Sequence, residues 1–211
     1  MASIGTYAQL QTQIANWLDR TDLTAQIPAF IELAESSFNR TIRAPDMILK
    51  NDSFSISGQY NTLPADTLEI IRIVVDIQPA IVLEYLTPGD LSELRGTLTG
   101  TGRPHYFTLV GGSSNQLEVL RSPDQTYTSS IVYYTRIPAL TDSATTNWLL
   151  TANPDIYLFG ALVEAEPYLK NDERMPLWTS RLDKALTTLR LQNSRELHSG
   201  SSLRMRARVL G

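Results

Sequence analysis

Two pairs of carboxylates, Glu32 with Glu35 and Glu164 with Glu166, are candidates for acid–base catalysis. Cleavage of a glycosidic bond needs two acids facing one another across a cleft, one giving a proton and the other acting as base or nucleophile. Glu164 and Glu166 stand two apart in a stretch of helical pattern, so they do not share a face. Glu32 and Glu35 do share one, and it is the polar side of an amphipathic stretch, which reads as a solvated face. The only imidazoles are His105, at the entry to a strand, and His198, in a stretch rich in glycine and serine. Neither sits beside a plausible nucleophile in sequence, although folding could bring one near, and each reads as a lone surface histidine. Gly100 and Gly102 open a GxG, but His105 stands where the third glycine of a dinucleotide fingerprint belongs, and no phosphate-binding lysine follows. Cysteine is absent, which removes disulfides, thiolate metal sites and cysteine nucleophiles together. No cofactor or metal is expected, and the chain reads as a structural or docking protein rather than an enzyme.

The elements that would position such residues follow from periodicity. Tyr7, Leu10, Ile14, Trp17 and Leu18 fall on one helical face behind a Thr6–Gln9 capping box, and Ile27, Phe30, Ile31, Ala34 and Phe38 form a second stripe with Pro28 at its start. The pattern stops before Pro45, because the residue preceding proline is pushed out of helical geometry. From Asn51 to Ile137 the period becomes two. Strands are expected at 53–57, 68–77, 81–86, 106–110, 116–121 and 129–136, with turns at Gly58, Gln78-Pro79 and Gly111 to Asn115. A short helical turn is expected at 90–95, followed by a mobile surface loop from Gly96 to Gly102. Helical signals return at Asn153-Pro154, where Gly160 would allow close approach of a neighbour and Pro167 would bend or end the segment. A last helix from about Asp172 carries Met175, Trp178, Leu182, Ala185, Leu186 and Leu189. The aromatic residues Tyr7, Trp17, Phe30, Phe38 and Trp178 read as core rather than as a stacking platform. The expected fold is α+β, a four-helix bundle formed by N- and C-terminal helical hairpins with an inserted antiparallel β domain and an extended C-terminal arm. Its expected divisions are a hairpin at 1–44, the β insertion at 45–150, the completing helices at 151–194 and the arm at 195–211.

With 42% hydrophobic residues in 211, the chain can bury one sizeable core or two modest ones. The opening lacks a basic segment followed by an apolar one, and no window approaches the length of apolar residues needed to span a bilayer, so a soluble protein of intracellular origin with no membrane partner is expected. Charge is uneven. Residues 190–211 hold five arginines against one glutamate, a net of +4, which leaves −8 on the rest of a chain whose total is −4. An acidic body with a basic end suits docking, or is simply a solvated tail.

Two blocks carry a resemblance. The opening YAQLQTQIANWLDRTDLTAQIPAFIELAESSFNR, and the stretch from Ile131 to Leu186, with NWLL at Asn147 to Leu150 and NPDIYLFGALVEA at Asn153 to Ala165, resemble the head-to-tail adaptors of tailed bacteriophages, of the kind found in short-tailed phages such as SU10. Together they cover roughly half of the chain. The resemblance implies a virion neck protein, made in the host cytoplasm, forming a ring of twelve copies between the portal protein and the next tail or nozzle protein. Double-stranded DNA would pass through the ring without sequence-specific binding. It also implies that the C-terminal segment reaches into the portal. There Leu203, Arg204, Met205, Arg206, Arg208, Val209 and Leu210 alternate apolar and basic side chains at the period of a strand. The loops free to contact the next tail protein are those holding Thr99, Gly100, Thr101 and Gly102, and Gly111, Gly112, Ser113 and Ser114. A tail-associated cell-wall or glycan hydrolase and a receptor-binding tail module are the alternative readings.

Overall fold

The computed structural model describes residues 4–111, 115–169 and 173–198. The chain forms two compact units, one of Met1–Asp46 with Ile137–Gly211 and the other of Met47–Arg136.

In the first unit, helix α1 (Tyr7–Leu18) starts where the Thr6 hydroxyl accepts from the Gln9 N–H at 3.3 Å and the Gln9 side chain accepts from the Gly5 N–H at 2.8 Å. It ends at Asp19 in the left-handed region, φ 53°. Helix α2 (Ile27–Thr41) holds Pro28 in its first turn, where the missing N–H has no helical partner to lose. A short helix α4 (Trp148–Ala152) is started by Asn147, whose Oδ1 accepts from the Leu150 N–H at 2.8 Å. It leads directly into α5 (Pro154–Leu169), and α6 (Met175–His198) follows.

Helix α5 is the centre of this unit. Ile156, Tyr157, Leu158, Gly160, Ala161, Leu162, Ala165 and Glu166 are all buried, so most of its circumference is covered. Helices α1, α2, α4 and α6 each pack on it. Gly160 makes the α2 crossing close: a Cβ there would lie 2.4 Å from Phe38 Cζ and 2.9 Å from its Cε1. Phe38 in turn stands edge-on to Tyr157, with ring centroids 5.4 Å apart.

The second unit holds eight strands in two four-stranded sheets. Strands β1 (Ile48–Ile56), β8 (Tyr127–Thr135), β3 (Thr67–Val75) and β4 (Ile81–Val82) form one sheet in that order, and β2 (Tyr60–Thr62), β7 (Gln116–Leu120), β6 (Tyr106–Val110) and β5 (Glu84–Tyr85) form the other. Inward side chains of both sheets, among them Phe54, Ile73, Phe107, Leu117, Val119 and Ile131, make one core, the arrangement of a sandwich. The chain changes sheets at Leu83, whose N–H bonds the Ile73 carbonyl, while the next residue, Glu84, bonds the His105 carbonyl. Helix α3 (Pro88–Thr97) then carries the chain over, so β5 pairs with β6 in parallel.

These observations overturn the expected four-helix bundle with an inserted antiparallel β domain. The described residues form six helices and two sheets, one of them mixed. Both N-terminal stripes bury against α5 more than against one another, because α5 is apolar nearly all round. Asn147 caps a short helix that periodicity did not reveal, and the helical turn expected at 90–95 is the longer helix α3, capped by Thr87. The segment 81–86 is two short strands rather than one, and Tyr60–Thr62 is a strand that the pattern did not reveal. Trp17, expected in the core, is 42% exposed, with its ring against Trp178 and Phe159 at 5.4 and 5.9 Å. Helix α6 runs to His198, so residues 195–198 are helical rather than part of an extended arm.

Glu35 is the largest departure from the expected solvated face. It is 6% exposed, and its Oε1 accepts from the Leu140 N–H at 2.9 Å and from the Tyr157 hydroxyl at 3.0 Å. Asn147 Nδ2 donates to that hydroxyl at 2.6 Å and to the Pro138 carbonyl at 2.7 Å. Burial pushes the Glu35 carboxyl up from its ordinary range, with the two hydrogen bonds opposing and the nearby Glu32 charge adding to the rise. Burial likewise pushes the Tyr157 phenol far above its usual value, so it stays protonated and donates.

Gly160→Ala is expected to lower stability by about 1–3 kcal/mol through overpacking against Phe38, despite the gain of about 1 kcal/mol in helix propensity. Denaturant unfolding of the variant, with Gly160→Ala/Phe38→Leu recovering part of the loss, measures it. A carboxyl raised in the folded state binds more protons there than in the unfolded chain. The stability that Glu35 contributes is therefore complete below its unfolded pKa and lost as pH rises through the folded one. The difference in melting temperature between wild type and Glu35→Gln, followed upward from about pH 4, is expected to shift steadily against the wild type. A flat difference would contradict this.

Candidate interaction surfaces

The residues that could do chemistry are kept apart. Glu32 is exposed while Glu35 is buried, and the latter faces backbone and Tyr157 rather than a cleft. Glu164 is half-buried, and Glu166, 1% exposed, accepts the Trp178 indole N–H at 2.7 Å and so ties α5 to α6. His105 is exposed at the end of β6, beside an open pocket of about 300 Å³ lined by Leu98, Tyr106, Leu120 and Arg121, with no carboxylate among them. Among the described residues no cluster of three His, Asp or Glu side chains could hold a metal ion, and no helix is long and apolar enough to cross a membrane.

The first candidate loop is more constrained than expected. Gly96 belongs to α3, which is started by the Thr87 hydroxyl accepting from the Asp90 N–H and is tied to β7 by Arg95 Nη2 on Glu118 Oε1 at 2.6 Å. Thr101 pairs with Ser122, and the Gly102 N–H bonds the Ser122 carbonyl at 2.8 Å. Between these anchors Thr99 and Gly100 form an exposed tip, and Gly100 has φ +99°, which a side chain would strain. Gly111 is exposed at the end of β6, while Gly112, Ser113 and Ser114 lie outside the described residues. So do all seven arm residues from Leu203 to Leu210.

A further surface was not anticipated. An open groove of about 350 Å³ runs between β3 and β6, with Leu83 and Phe107 buried at its base and Ile71, Val82, Tyr85 and Leu109 exposed around it. Glu69, Ile70 and Arg72 complete the lining. It exists because the chain leaves β3 for the other sheet after only two residues of β4, which leaves the two sheets open on that side. The sequence held a signal for it. IIRIVV at 70–75 and IVLEYL at 81–86 are apolar on both faces, and a strand with one solvated face alternates instead.

No curated protein matches the chain. A family model described as SU10 adaptor protein matches residues 5–206, taking in both units, the groove and most of the arginine-rich end. The chain therefore belongs to the SU10 adaptor family, the structural head-to-tail adaptors of bacteriophages that its two sequence blocks resemble.

Proposed function

We propose that this protein forms a closed ring, of twelve copies, that joins the portal to the tail or nozzle of the virion and lines the channel through which DNA leaves. The observation that carries the reading is the family match over nearly the whole chain, both units included. A head-to-tail contact between identical subunits closes only when the rotation per subunit divides a full turn, and a twelve-fold portal would template that closure. DNA would pass without base-specific contact, held off the wall by like charge on an acidic body.

Two contacts along the channel axis complete the proposal. Residues 199–211 dock on the portal, with the arginines at 204, 206 and 208 on one side of an extended segment, meeting acidic surface, and Met205, Ala207 and Val209 on the other. Ordering each residue costs about 1–2 kcal/mol of backbone entropy, so the contacts must form together. The Thr99–Gly100 tip and Gly111 face the next tail component, since they are exposed and outside the sandwich core.

Imaging of virion necks is expected to show a ring of this protein directly under the portal; one or a few copies per particle would overturn the reading. Truncation after His198 is expected to leave the melting temperature within a few degrees of the native value and to abolish portal binding in a pull-down. Reversing the charge at Arg204, Arg206 and Arg208 should weaken binding less and flatten its dependence on salt.

A further inference from the structure

Each sheet of the β unit has an edge strand at either end, β1 and β4 in one sheet and β2 and β5 in the other. The large apolar side chains that this unit leaves exposed are distributed accordingly. Leu49 on β1 and Tyr60 on β2 occupy one end of the sandwich, 44% and 51% exposed. Val82 on β4 and Tyr85 on β5, 58% and 53% exposed, occupy the other, with Ile71 and Leu109 on the strands next to them. The central strands β7 and β8 carry none among the described residues. At the second end the edges are also short of partners. β4 covers β3 only at Val74 and Val75, and β5 covers β6 only at Tyr106 and Phe107.

Uncovered strand edges with apolar side chains are templates for another chain, and a protein that kept them in water would be prone to aggregate. The two ends differ in shape and carry both signs of charge. One is the groove, whose lining includes Glu69 and Arg72; the other is the β1–β2 edge, which displays Lys50 and Asp52. A ring contact needs two different patches on opposite sides of one subunit, so that each copy offers one and receives the other. A self-complementary patch would stop at a pair.

We infer that the β1–β2 edge of one copy seats in the β4–β5 groove of the next, so that both sheets continue edge to edge from subunit to subunit. Tyr60 and Leu49 of one copy then cover the groove's Tyr85, Val82, Ile71 and Leu109 on its neighbour. The inference rests on the adaptor reading and assigns the lateral surface of its ring.

The chain has no cysteine of its own, which makes a disulfide test clean. Tyr60 and Tyr85 sit on the two outer strands of one four-stranded sheet, about 14 Å apart at the usual strand spacing, too far to bridge within one subunit. The double variant Tyr60→Cys/Tyr85→Cys, co-expressed with the portal protein from the same genome and mildly oxidised, is expected to give a ladder of multimers on a non-reducing gel. An equimolar mixture of the two single variants should stop at dimers. Leu109→Lys, with an unchanged melting temperature, should lose the assembly. Portal-bound assemblies of full mass that yield no ladder would overturn this surface and leave the adaptor reading standing. A native protein that forms no assembly with the portal would remove the adaptor reading itself.

Discussion

A single buried carboxylate holds the helical unit together. Glu35 on α2 accepts from the backbone of Leu140 and from Tyr157 on α5, and Asn147 links that tyrosine to the carbonyl of Pro138 and to the start of α4. An acceptor buried without donors would cost more than it contributes, and here each donor comes from a different part of the chain. The return segment from Ile137 to Asn147 has almost no regular structure, yet it is fixed at Ile137 by Asn39, at Leu140 by Glu35 and at Thr145 by the N–H of Tyr7. That segment could not lie against the helices if its polar backbone were left unsatisfied. The close crossing at Gly160 and the Glu166–Trp178 bond extend the same logic to α2 and α6.

The β unit is governed by a different constraint. Its chain crosses between sheets within five residues, at Leu83, and this one crossing creates the mixed sheet, requires α3 as a connection, and leaves the open groove. Core and interaction surface thus share a cause. The residues that close the sandwich interior, Leu83 and Phe107, are also the base of the groove, so that base cannot be remodelled without disturbing the core.

Much of the helical pattern was legible because it is local. The capping box at Thr6, the stripes of α1 and α2, the proline at the start of α5 and the close approach at Gly160 each follow from spacing or from the special geometry of one residue. Glu35 was not legible, since a glutamate between polar neighbours on an amphipathic helix has the pattern of a solvated face, and its donors lie more than one hundred residues away. The six-residue run 81–86 has the length of one strand, and only pairing partners reveal that it serves two sheets. For the candidate loops, exposure of Thr99 and Gly100 was readable from composition, whereas the pairing of Thr101 with Ser122 is an isolated bridge outside the named strands, between residues far apart in sequence. The apolar edge strands looked like ordinary core strands, because sequence does not say where a sheet stops.

The order of the chain has a consequence for how such a molecule is made. Its helical unit is assembled from the first and last parts of the sequence, and contacts such as Glu35 with Tyr157 span 122 positions. Long-range contacts of this kind slow folding, since the entropy of closing a long loop is lost before any contact repays it. The antiparallel pairing of β1 with β8 sets Ile48 opposite Tyr134, so a folded β unit delivers its entry and exit points side by side. A ribosome presents this β unit complete before α5 and α6 emerge, and domains formed first during synthesis generally fold as units. The sandwich then acts as a clasp, shortening the effective loop between α2 and the return segment to a few residues. Closure of the helices around α5 becomes, in chain terms, a nearly local event.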